Sequence, residues 1–214
     1  MLREIAFGLC LTFGTTLAMA ASLSDGKQYD VMAKSVSDAP AVVEFFSFYC
    51  PPCAAFSEPY KVSQTIDANL PEGYHVEKYH VSAMGSMGKP LTEAWSVAKV
   101  LGIQSRVEQP LFTAVQKTKS INSEDAIRQI FIQAGVSGEE YDAVKNSFAV
   151  KALTEKQERA ATQFAVTGTP SFYVRGKYLI RNNGIEERSP EAYGKAFADV
   201  VNALLKEKLS TTEP

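Results

Sequence analysis

Cysteine is scarce in this chain of 214 residues, with three at positions 10, 50 and 53. That count excludes a small disulfide-stapled scaffold, which uses several bridges to replace a core. Histidine is scarcer, with only His75 and His80. A zinc site built from Cys50, Cys53 and this pair is rejected, because 21 residues separate the two pairs where structural Cys2His2 sites use about twelve. Residues five apart on a strand also point to opposite faces, so both histidines read as ordinary strand residues and no metal is expected. Charge of either sign is not in excess: 22 Lys plus Arg stand against 24 Asp plus Glu, for a net −2. With no basic patch or polycationic tail, nothing argues for nucleic acid. Low-complexity tracts are absent and 45% of residues are hydrophobic, which describes a folded globular protein.

A long membrane span is lacking too. The longest apolar stretch, Ile5 to Leu17, falls short of the ~20 residues a span needs. Preceded by Arg3 and followed by Ala18-Met-Ala20, it reads as a secretory signal over residues 1–20, cleaved after Ala20. Glu4 and several Gly and Thr residues weaken the pattern. A lipoprotein signal needs a small residue before its cysteine, and Cys10 follows Leu9. Cleavage takes Cys10 away and leaves 194 residues with Cys50 and Cys53. A bridge between them closes a loop of four residues, which restrains the unfolded chain little. Such a bridge is a poor staple and is better understood as a reagent.

Its place in the sequence says the same. Cys50-Pro-Pro-Cys53 follows the apolar run Ala41 to Tyr49 and opens a helical stretch. A cysteine at a helix start meets unsatisfied N–H groups and the positive end of the helix dipole, which favour its thiolate. Val42 to Phe48 reads as a buried strand and Cys53 to Leu70 as a helix that Pro59 kinks or interrupts. Tyr74 to Val81 reads as a second strand, parallel to the first. From Lys89 to about Phe164 the signatures are helical, including Leu91–Leu101, Ser123–Gln133, a capping box at Ser137-Gly-Glu-Glu140 and Val150–Phe164. Trp95 reads as core of that region. Ser171–Val174 and Tyr178–Ile180 form a hairpin about Arg175-Gly-Lys177, and Ser189-Pro190 starts a last helix. The expected class is α/β, a thioredoxin fold interrupted by an all-helical insertion domain. The expected boundaries are 21–82 plus 165–214 for the thioredoxin-like part and 83–164 for the insert.

Glu44 to Cys53, Lys78-Tyr-His-Val81, Gln116-Lys-Thr118, Gly138 to Asp142 and Gly168-Thr-Pro170 together resemble the DsbA family of periplasmic thiol:disulfide oxidoreductases, and the Cys-Pro-Pro-Cys version is that of its SrgA-type paralogue. The resemblance implies a dithiol oxidase without cofactor, acting as a monomer on reduced exported proteins. A DsbB-like membrane quinone-linked oxidase is the implied partner that recharges it. It implies that Cys50, nearer solvent, is attacked by substrate while Cys53 departs. Pro51 and Pro52 lack N–H groups, so Cys53 and Ala54 are expected to be the nearest donors to the sulfur, and Pro52 to weaken the thiolate relative to a histidine there. Thr169 and a cis Pro170 are implied to face the disulfide and pair with the substrate backbone, with the Thr169 hydroxyl free to bond a sulfur or a substrate amide. Glu44 and Lys78 are implied to pair beneath the site and relay a proton to or from Cys53. The alternatives are a disulfide isomerase or reductase that needs the reduced pair, and a chaperone of the same compartment.

Overall fold

The computed structural model describes residues 23–207; the expected signal and Cys10 lie outside the described residues. The fold is α/β. Strands β1 (Tyr29–Val31), β2 (Val42–Phe46), β3 (Val76–His80), β4 (Ser171–Val174) and β5 (Tyr178–Ile180) form one sheet in the order β1-β5-β4-β2-β3. β2 and β3 are parallel, as the strand–helix–strand order predicts, and the other pairs are antiparallel. All five residues of β2 are buried, as befits a strand flanked on both sides. The edge strand β1 was not legible: three residues are too few to carry a period.

Helices α1 (Pro51–Ser57) and α2 (Val62–Asn69) replace the single helix expected after Cys53. Pro59 interrupts it, as anticipated, and the break carries a cis Glu58–Pro59 peptide and a left-handed Lys61. Between β3 and β4 lie α3 (Gly88–Leu101), α4 (Gln104–Phe112), α5 (Glu124–Gln133), α6 (Gly138–Lys145) and α7 (Phe148–Gln163). α4 had no sequence counterpart. It contains Pro110 and runs on without a break into a π-helical stretch, Thr113–Lys117. α8 (Pro190–Lys206) closes the chain. Ser123, Ser137, Ser147 and Ser189 each cap a helix by accepting from the backbone N–H three residues on, the usual way of satisfying one orphan donor. The β4–β5 hairpin turns through Arg175 and Gly176, both at positive φ, the turn whose twist matches the strands. A Cβ on Gly176 would sit 2.2 Å from the Val36 carbonyl.

Three apolar clusters hold these layers. Val42, Phe172 and Val174 face α2 and α8 through Val62, Ile66, Phe197 and Val201. The opposite sheet face sets Val43, Phe45 and Tyr173 on Ala160 and Phe164 at the end of α7. The third cluster is the helical core, with Leu91, Trp95, Leu111 and Phe131, and it extends to Phe46, Phe48, Cys50 and Cys53. Each such side chain contributes about 1.5–3 kcal/mol by leaving water. The helical region therefore packs directly over the two cysteines.

Candidate active site

Cys50 is the N-cap of α1 and Cys53 lies one turn in; the two are joined as a disulfide, with Cα atoms 5.2 Å apart. The Cys53 backbone N–H donates to Cys50 Sγ at 3.2 Å. Ala54, the other donor expected at the sulfur, gives its N–H to the Cys50 carbonyl instead, at 3.2 Å. With Pro51 and Pro52 at the first two helical positions, one backbone donor reaches the sulfur rather than two. Solvent access also fails to separate the cysteines as expected: Cys50 is 2% exposed and Cys53 1%. Both cysteines belong to the buried apolar cluster that includes Phe48, while Pro51 and Pro52 carry the exposure. What distinguishes the two sulfurs is the helix end, which serves Cys50.

The loop before β4 brings Thr169 and Pro170 against the disulfide. Their peptide is cis, and the Thr169 carbonyl oxygen lies 3.2 Å from Cys50 Sγ. The Thr169 hydroxyl does point at a sulfur, but at Met84 Sδ, 3.6 Å away. A cleft of about 380 Å³ starts at Pro52, walled by Phe56, Tyr60 and Tyr193, with Glu187 and Arg188 in its lining.

Beneath α1, Glu44 is buried, so it is not a solvent-facing strand residue. Across the parallel register from Lys78, it lies 3.3 Å from the ammonium and accepts from Ser63 at 2.5 Å. Glu108 of α4, which sequence reading passed over, is a second carboxylate on the same ammonium, at 2.5 Å. It also accepts from Ser57, the last residue of α1, at 2.9 Å. The Lys78 ammonium also lies over the Phe46 ring, 4.9 Å from its centroid. Burial pushes the Glu44 carboxyl above its ordinary range, against the pull of Lys78 and Ser63. Burial opposes the Lys78 charge as well, but Glu44 and Glu108 outweigh it and hold the ammonium above its usual value. One cation between two carboxylates leaves a charge uncompensated in a poorly solvated place, so the cluster readily holds a further proton, on Glu44. A cavity of about 540 Å³ opens on it, lined among others by Ser57, Ser63, Lys78, Glu108 and Gln109.

Two more residues grip the turn between β2 and α1. His80, fully buried, accepts the Phe48 N–H on Nε2 at 3.1 Å, and its Nδ1 lies 2.8 Å from the Thr92 hydroxyl. Burial lowers its pKa to about 3, so the ring is neutral, with the proton on Nδ1. From the π-helical stretch, Gln116 donates to the carbonyls of Phe48 and Cys50 at 2.8 and 3.0 Å. His75 is exposed beside Glu77, far from such a role.

Residues 41–189 match the DSBA-like thioredoxin domain. The thiol:disulfide interchange protein DsbA of Yersinia pestis is 45% identical over 201 residues, covering 94% of this chain and 96% of its own. The structure of Proteus mirabilis DsbA with a non-covalently bound peptide, PWATCDS, superposes with a TM-score of 0.84 at 49% identity, over 87% of this chain and all of that one. SrgA of Salmonella enterica serovar Typhimurium gives a TM-score of 0.79 at 44% identity, over 84% of this chain and 100% of its own.

Proposed function

The chain belongs to the DsbA family and is a thiol:disulfide oxidoreductase, and from that premise we propose that Cys50 and Cys53 perform the exchange as follows. A substrate thiolate attacks Cys50 Sγ, the Cys50–Cys53 bond breaks, and its electron pair leaves on the Cys53 sulfur. That sulfur takes up a proton supplied through the Glu44–Lys78 pair. The second substrate thiolate then attacks its own sulfur in the mixed disulfide and expels Cys50 as a thiolate. The substrate dithiol has lost two electrons and the enzyme holds a Cys50 thiolate and a Cys53 thiol. The observation that carries this reading is the Cys53 N–H on Cys50 Sγ at the start of α1, because whatever stabilises the departing thiolate also stabilises the reduced enzyme and makes it an oxidant.

Thr169 and Pro170 are assigned to the substrate backbone, which their position beside Cys50 Sγ supports, and the cleft beginning at Pro52 to its apolar side chains. The substrates are reduced exported proteins. The enzyme is a periplasmic monomer, residues 21–82 plus 165–214 forming its thioredoxin-like domain and 83–164 its insert, and a DsbB-like quinone-linked membrane protein recharges it. Among the described residues no helix is long and apolar enough to cross a membrane. An oxidase keeps Cys50 and Cys53 mostly as the disulfide in cells, whereas an isomerase or reductase keeps them reduced. Trapping thiols with an alkylating reagent before lysis distinguishes these, and a mostly reduced pair overturns the oxidase assignment.

Pro52 sets the strength of that oxidant. With one N–H on the sulfur and no positive charge at position 52, the Cys50 thiolate has less support than a histidine there gives. Pro52→His is expected to lower the Cys50 pKa and raise the oxidising power, read from thiolate absorbance near 240 nm and from equilibrium with glutathione. An unchanged or raised pKa contradicts this.

A further inference from the structure

We propose that Gln116 is a positioning residue for the exchange: its carboxamide, presented by the helical region, fixes the backbone of the Cys50 turn and so sets the acidity of the Cys50 thiol. The proposal rests on the reading of Cys50 as the attacked sulfur. Gln116 Nε2 donates both its protons, one to the Phe48 carbonyl at 2.8 Å and one to the Cys50 carbonyl at 3.0 Å. Only the nitrogen end can face two carbonyl oxygens, so the orientation of the amide is fixed by chemistry. His80 takes the N–H of Phe48, so both backbone groups of that residue are satisfied by side chains rather than by a ladder or a helix. The π-helical stretch is what aims Gln116 there, since one extra residue per turn rotates its side chain relative to an α-helix continuing α4; such insertions recur at functional sites.

The consequence for the sulfur is electrostatic. The Cys50 carbonyl oxygen carries partial negative charge on the residue that must become a thiolate. It is drained by Cys53 N–H at 3.1 Å, Ala54 N–H at 3.2 Å and the Gln116 amide. Without the amide, the carbonyl bears more charge against the sulfur and the turn is held from one side. Cys53 N–H, the one backbone donor on Sγ, is then less well placed. Among the described residues no ion pair or charged hydrogen-bond partner touches residues 47–50; His80 is neutral above about pH 3, which leaves dipoles to do the stabilising.

The test uses the chain with Cys10→Ser and Cys53→Ala, in which the Cys50 thiolate titrates alone. Gln116→Met keeps the length of the side chain and removes both donors, and is expected to raise the Cys50 pKa by about half a unit. In the chain with both cysteines, the same change lowers the equilibrium constant for oxidising glutathione about threefold, the equivalent of that shift. Gln116→Glu sets a carboxylate against two carbonyl oxygens and is expected to exceed both effects; it carries the test alone if the Met variant does not fold. A pKa and an equilibrium constant that match the parent overturn the proposal, including when the melting temperature falls, since Gln116 is then only a packing residue. A Cys50→Ser chain that still oxidises a dithiol peptide overturns instead the assignment of Cys50.

Discussion

Neither single-cysteine variant completes a disulfide transfer, but the two are expected to fail in different ways. Challenged with oxidised glutathione, the Cys53→Ala chain forms its mixed disulfide a few-fold faster than the Cys50→Ser chain at pH 7 and more than about tenfold faster at pH 5. The difference lies in thiolate fraction. A free cysteine, with a pKa of about 8.5, is only a few per cent ionised at pH 7, and a sulfur at a helix N-terminus is largely ionised. Part of that gain is lost because a less basic thiolate is a poorer nucleophile. At pH 5 the ordinary thiol has lost about another hundredfold of its reactive form and the gap widens accordingly. In cells, the Cys53→Ala chain accumulates substrate proteins joined to Cys50 and released by reductant, because no second sulfur is present to take Cys50 back. Equal rates at both pH values, or adducts on Cys53 of the Cys50→Ser chain, contradict the roles given to the pair.

Lys78→Met is expected to have the largest effect on stability. It removes the one cation from between Glu44 and Glu108, both of which contact its ammonium. Breaking a buried ion pair from one side costs about 3–5 kcal/mol. The pH dependence identifies the cause. Burial already raises the Glu44 pKa above the unperturbed 4.5, so the folded state binds more protons than the unfolded one above that pH. Stability conferred by this proton is complete below pH 4.5 and is lost as pH rises toward the folded pKa. Without Lys78 that folded pKa moves further up, so the window of loss extends to higher pH at up to about 1.4 kcal/mol per unit. Urea unfolding should therefore show a deficit that is small at pH 4.5 and large at pH 8. Adding Glu108→Gln should restore part of it. A deficit independent of pH would assign the loss to the contacts of the Lys78 side chain with its neighbours, Phe46 among them, rather than to the titration of Glu44.

What could be read from the residues was whatever is local. Serines 137 and 189, the Arg175-Gly176 turn, the interruption at Pro59 and the placement of Cys50 at a helix start follow from rules that span a few positions. Glu44 stood out because a charge inside an apolar strand demands an explanation, whereas Lys78 was its partner only through the family resemblance. Glu108 gave a weaker signal: it sits beside the apolar stripe of Val107 and Leu111, on a helix where an acid reads as a solvent-facing residue, and its partners Lys78 and Ser57 lie 30 and 51 positions away. Gln116 was noticed within a motif but without a role, because a π-helical turn changes where its side chain points and leaves no period in the sequence. His80 looked ordinary because nothing local reveals that β3 delivers it to the N–H of Phe48.

The two sulfurs are made early in the chain and their partners late. Gln116, on the Cys50 carbonyl, comes 66 residues afterwards, and Thr169, on its sulfur, 119. While the polypeptide is being made or moved in an extended state, Cys50 and Cys53 are thus two unremarkable thiols, as harmless as those of any client. The contacts that position them form only when the last strands and the helical region close over them, so their full reactivity is a property of the completed fold.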